Sequence, residues 1–169
     1  MVKIITKELI KSDFETDKLI SCSLFRQLKV DPFKSPIKYY NWLRDFVKNI
    51  NKVFPNFVIR VYTDLSLTYN ANGSIYNEGI KLLKELKRNP KVEVFIYRCK
   101  DFSLNKYYHE GTFGTLVRLL PLFEKSKYKI VWISDIDNNI AGLLSSKKKI
   151  NNFLNSKFEI LLNDLYCYD

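Results

Sequence analysis

The sequence predicts an α/β fold: one compact domain built on a doubly wound, mainly parallel sheet flanked by helices. Three observations predict it. Apolar runs of strand length recur at Leu19, Phe57, Val92 and Ile130. Segments with apolar residues at helical spacing lie between them, and strand alternating with helix is the pattern of parallel crossover units. Three of the runs also give way to polar or acidic residues at their carboxyl ends, where open α/β sheets build binding sites.

Size and composition agree with a single folded domain. A chain of 169 residues with 46% hydrophobic content, 12 Phe and 11 Tyr can bury a substantial core, which excludes a disordered chain. Cys22, Cys99 and Cys167 are odd in number and far apart, with no C-x-x-C pair to suggest zinc or a redox dithiol. Met1 to Ile10 contains only short apolar pieces, and no uninterrupted apolar run approaches the roughly 18 residues of a membrane span. The expectation is a soluble, cytoplasmic protein in a reducing compartment. The net charge of +10 favours an anionic partner such as nucleic acid, a phosphate-bearing small molecule or an acidic membrane surface. A lysine-rich solvated surface gives the same number, so charge alone does not choose.

Taken in order, the first 18 residues mix charges with isolated apolar positions and read as an irregular lead-in or a peripheral helix. L-I-S-C-S-L-F from Leu19 is a first buried strand, with Ser21, Ser23 and Arg26 towards its carboxyl end. Tyr39, Leu43, Phe46, Val47 and Ile50 recur at helical spacing and define an amphipathic helix ended near Pro55. Phe57 to Tyr62 is the second strand. It stops at Thr63 and Asp64, and that carboxylate suits either a ribose or base contact or, more commonly, a cap or turn.

Asn70 to Ser74 reads as a turn, Ile75 to Lys87 as a basic amphipathic helix, and Val92 to Tyr97 as the third strand. A polar loop from Arg98 to Glu110 contains the only histidine, His109. In the third helix, Phe113, Leu116, Val117 and Leu120 form one apolar stripe, Arg118 lies off that stripe, and Pro121 kinks or ends the helix. Ala141 begins a further helix running through Lys147, Lys148 and Lys149 towards Asn155, and Phe158 to Leu162 reads as a last strand.

Between these lies K-I-V-W-I-S-D-I-D-N-N, Lys129 to Asn139. Its four apolar residues suit a strand buried on both faces, followed at once by Asp135 and Asp137. Ten aspartates in 169 residues give roughly half a D-x-D by chance, so the context must carry the weight. Residues two apart on a strand share a face, so both carboxylates can approach one ligand. Mg²⁺ and Mn²⁺ take such oxygen ligands, often completed by substrate phosphates. An Asx-type turn formed with Asn138 and Asn139 is the equal alternative on strand context alone.

T-L-V-R-L-L-P-L-F-E-K-S-K-Y-K-I-V-W-I-S-D-I-D-N-N resembles the stretch of GT-A-type glycosyltransferases in which an Arg-containing helix leads through a proline into an apolar strand and the D-x-D motif. L-I-S-C-S-L-F-R resembles their first donor-binding strand, and F-P-N-F-V-I-R-V-Y-T-D a second strand ending in an acid. The resemblance covers about Leu19 to Asn139. It implies a metal-dependent enzyme that uses a nucleotide-sugar donor and Mn²⁺ or Mg²⁺. It places Asp135 near ribose and metal, Asp137 on the metal, Arg118 against the D-x-D loop or donor, and Ser21, Arg26 and Asp64 around the nucleotide.

Only 30 residues follow Asn139, where that family normally supplies the acceptor site and often the catalytic base. The base is therefore unassigned, His109 and Glu110 reading more simply as loop residues, and a fragment, a minimal enzyme and a donor-binding remnant all stay open. The acceptor, whether glycan, protein or small molecule, is also open. Two other functions compete: a non-catalytic nucleotide-sugar-binding module, and a metal-dependent nucleic-acid enzyme using the same carboxylates and the basic surface.

Overall fold

A computed structural model of the chain describes residues 2–28 and 35–159. Its middle strand is the one whose sequence best suits a sheet. Five of the six residues in Val58–Thr63 are β-branched or aromatic, and all six are buried. Around it the strands β1 (Ile4–Ile10), β2 (Lys18–Ser23), β3 (Val58–Thr63), β4 (Val92–Cys99) and β5 (Ile130–Ile133) form one sheet in the order β1-β4-β3-β2-β5. The β2, β3, β4 and β5 strands run parallel, and β1 joins β4 antiparallel.

Helices α1 (Pro36–Val53), α2 (Asn77–Lys87) and α4 (Ile140–Leu154) cover one face. Leu43, Phe46 and Ile50 of α1, Leu82 and Leu86 of α2 and Leu143 of α4 share a core with Ile20, Cys22, Ile59, Val61 and Val94 of the sheet. Each large apolar side chain buried in this way contributes about 1.5–3 kcal/mol. Gly79 lets α2 start hard against the preceding loop, since a Cβ there would lie 1.6 Å from the Leu67 carbonyl oxygen.

The opposite face is covered by α3 (Gly111–Leu116), its 3-10 continuation Val117–Leu122 and the segment leading to β5. Tyr62 and Tyr97 pack there with Phe113 and Val117, while Leu19 and Val58 pack with Tyr128. Between these clusters Arg60 and Glu93, directly opposite in register on β3 and β4, form a buried ion pair at 2.5 Å. Tyr62 accepts from Arg60, and Tyr128 donates to the second Glu93 oxygen.

Several sequence expectations need correction. The first residues contain a strand rather than an irregular lead-in or helix. The Ile130–Ile133 strand is half-buried at an edge of the described sheet, not buried on both faces. Leu116, expected in the apolar stripe of the third helix, is 54% exposed. The anticipated last strand at Phe158–Leu162 falls largely outside the described residues. Among the described residues no helix is long and apolar enough to cross a membrane.

The tyrosine-rich core makes stability sensitive to alkali. Burial raises the Tyr62 phenol from 10.0 to about 12, against the opposing pull of Arg60, and it pushes Tyr40, Tyr97 and Tyr128 up as well. These groups hold their protons more tightly folded than unfolded, so their contribution is complete below pH 10 and is lost as pH rises towards 12 and beyond. In an alkaline titration, tyrosinate absorbance from the buried rings should appear together with loss of far-ultraviolet dichroism. Full ionisation with the dichroism intact would refute this.

Candidate functional site

In the sheet order, β3 and β4 lie to one side of β2 and β5 lies to the other. The winding therefore reverses between β2 and β5: α1, which follows β2, and α3, which leads from β4 into β5, lie on opposite faces, and α4 after β5 returns to the face of α1. Such a switch point opens a crevice beyond the carboxyl ends of the two strands. Here it is a cleft of about 420 Å³. Ser23, Arg26 and Gln27 enter it from the end of β2, Tyr39, Tyr40 and Trp42 from α1, Thr115 from α3, and Asp135, Ile136 and Asp137 from the end of β5.

The D-x-D residues reach this cleft from a turn, not from the strand itself, which stops at Ile133. Ile136 points into the core beside the first helix layer, leaving both flanking aspartates exposed. Asp135 pairs with the Arg118 guanidinium, which also reaches the Ser134 carbonyl at 3.5 Å. Asp137 makes no hydrogen bond or ion pair among the described residues. Ile136 and Asp137 lie in a turn, in which neither aspartate side chain hydrogen-bonds to Asn138 or Asn139 among the described residues, and Asn139 caps α4 by accepting from the Gly142 amide at 2.9 Å.

The other predicted residues divide sharply. Ser21 is fully buried and donates to the Arg118 carbonyl at 2.7 Å, so it anchors the segment that carries Arg118 and does not reach the cleft. Arg26 lines the cleft, but its guanidinium donates to the Ser66 carbonyl and to Asn70 Oδ1, each at 3.2 Å, and lies 3.7 Å above the Tyr76 ring. It is a wall, not a mobile phosphate clamp. Asp64 lies outside the cleft, 1% exposed, with its oxygens taken by the Ser66 amide and hydroxyl and by the His109 amide and ring. The sequence reading of Asp64 as a nucleotide ligand gives way to the commoner one, a cap.

His109 is saturated too. Its Nε2 accepts from the Cys99 amide at 3.1 Å, so Nδ1 carries the proton and donates to Asp64 at 3.0 Å. Neither ring nitrogen is left to act as a base, and Glu110 is exposed outside the cleft lining. Substituting His109 with alanine should cost about 2–4 kcal/mol, because a buried amide and a buried carboxylate both lose a partner. Equilibrium urea unfolding measures it, and a loss under 1 kcal/mol would show that the dyad is not structural.

Sequence reasoning missed the contribution of α1. Tyr39 and Trp42 meet edge to face at 4.9 Å and supply an aromatic wall. The only signal was Y-Y-N-W near the helix start, which reads equally well as core. Two buried polar atoms of the wall, the Tyr40 hydroxyl and Arg26 Nε, have no hydrogen-bond partner among the described residues, and the same holds for Asn51 Oδ1 and the Tyr97 hydroxyl away from the cleft. Burial also pushes the Cys22 thiol, beneath this site, up to about 12, so it is no nucleophile.

Among the described residues no three His, Cys, Asp or Glu converge on one point. The two aspartates are hard oxygen donors, and a Mg²⁺ or Mn²⁺ ion that takes its remaining ligands from a substrate fits them, whereas an all-protein metal cage does not. Comparison with protein-family profiles, curated proteins and solved structures finds no match to the chain.

Proposed function

We propose that the crevice between β2 and β5 binds a nucleoside-diphosphate-sugar and that the protein transfers the sugar to an acceptor, as the resemblance to GT-A-type glycosyltransferases implies. The supporting observation is that Asp135 and Asp137 share a switch-point cleft with an aromatic wall. Tyr39 and Trp42 would border a planar base. Asp137, exposed and unpaired, would hold the cation. Asp135, tied to Arg118, would fix the loop and stand beside it. A bound Mn²⁺ or Mg²⁺ would neutralise charge on the diphosphate and stabilise it as it departs.

Thermal unfolding against a panel of nucleoside-diphosphate-sugars, with and without Mn²⁺, tests the proposal. One donor should stabilise only when Mn²⁺ is present, by about 2.7 kcal/mol at a hundredfold excess over Kd. If no donor shifts the midpoint with the metal present, the proposal fails. One observation favours a second reading, a donor-binding module without turnover: among the described lining residues, the two aspartates are the only acids or imidazoles in the cleft. Metal-dependent donor binding with neither hydrolysis nor transfer would select it.

A further inference from the structure

We infer that the open groove beside the crevice is a second substrate site, which takes an uncharged acceptor with an apolar body and a hydroxyl at one end. The acceptor role rests on the function proposed above. The groove measures about 620 Å³, within the roughly 300–1,000 Å³ range of small-molecule sites. It lies at the same carboxyl end of the sheet, between the loop after β2, the loop after β4 and the exposed side of α3.

Its two ends differ chemically. Leu28, Leu104 and Leu116 are 40%, 48% and 54% exposed and form the far wall, with no core packing to account for them. Gln27 and Thr115 form the near wall, and both also line the crevice, so the two cavities adjoin through neutral hydrogen-bonding groups. Thr112 adds a further hydroxyl. Among the described residues the lining carries no carboxylate, ammonium or guanidinium, in contrast to the charged crevice. A ligand seated there is neutral, with its apolar part on the leucines and its polar end at Gln27 and Thr115, next to the donor. Reacting partners need that adjacency, because transfer requires both to be held in contact.

The probe is n-octyl β-D-glucoside below its micelle concentration, titrated by amide NMR into the full chain. Saturable shifts at Thr112 to Leu116 are expected, weakened about tenfold or more by Leu116→Glu, since an apolar tail would then meet a charge. Leu144→Glu, at an equally exposed leucine of α4 outside the groove, should bind as wild type does. Binding should persist in Asp137→Ala and alongside a nucleoside diphosphate, so failure of the donor reading would leave it intact. No saturable binding, equal affinity in Leu116→Glu, or displacement by the nucleotide would overturn the inference. So would a dimer that Leu116→Glu converts to monomer, which would make the groove a contact between copies.

Discussion

Replacing Glu93 with alanine is expected to destabilise the protein by about 3–5 kcal/mol. The residue faces Arg60 across β3 and β4, and both side chains are 6% exposed. Burial opposes the Arg60 charge most strongly, and Glu93 and Tyr62 together more than offset it, holding the guanidinium above its ordinary range. Without that carboxylate Arg60 keeps the Tyr62 hydroxyl and the half-exposed Glu124 at 3.1 Å, but its Nε loses its acceptor, as does the Tyr128 hydroxyl. A buried charge left with only a solvent-facing partner is the expensive case, whereas removing both charges is not. Arg60→Met combined with Glu93→Leu should therefore be more stable than Glu93→Ala alone. Urea unfolding measures both variants, and a Glu93→Ala loss under 1 kcal/mol would mean that solvent reaches the pair.

The second large effect is on ligand binding. Asp137→Ala should leave unliganded stability within about 0.5 kcal/mol of wild type, because the side chain is exposed and makes no hydrogen bond or ion pair among the described residues. The metal-dependent stabilisation by a nucleoside-diphosphate-sugar, about 2.7 kcal/mol at a hundredfold excess over Kd, should vanish. Asp135→Ala should behave differently. It frees Arg118, whose guanidinium then no longer pins the loop, so donor affinity should fall while some metal dependence survives. Thermal midpoints with and without donor and Mn²⁺ separate the two. An unchanged ligand shift in Asp137→Ala would remove that residue from the metal site.

Much of the parallel sheet was legible because its strands are runs of β-branched and aromatic residues bounded by turn signals. β1 was not, since it is an edge strand with a register shift between Glu8 and Ile10 and little buried surface, so its alternation is broken. The last apolar run before the D-x-D read as central because four consecutive apolar residues do not reveal that one flank lacks a neighbouring strand. Leu116 was misplaced because the helix tightens to 3-10 geometry at Val117. Three residues per turn instead of 3.6 rotate the stripe, keeping Phe113 and Val117 inside.

The site was legible in part for a similar reason. Asp135 and Asp137 follow their strand directly, and strand ends predict crevice positions. Asp64 also follows its strand, yet its fate is decided by His109, 45 residues later, and no local pattern reports so distant a partner. The aromatic wall from α1 was hidden by the ambiguity of helical aromatics, which serve a core as readily as a cleft.

The most direct test is where a metal–nucleotide complex sits. Amide NMR spectra of the protein should be recorded with Mn²⁺ alone, with a nucleoside diphosphate alone, and with both. The result expected is paramagnetic broadening strongest at Ser134 to Asn138 and at Ser23 to Gln27, appearing only with both present and absent in Asp137→Ala. Broadening centred elsewhere on the chain, or the same broadening with Mn²⁺ alone, would contradict a crevice that takes its metal together with a diphosphate.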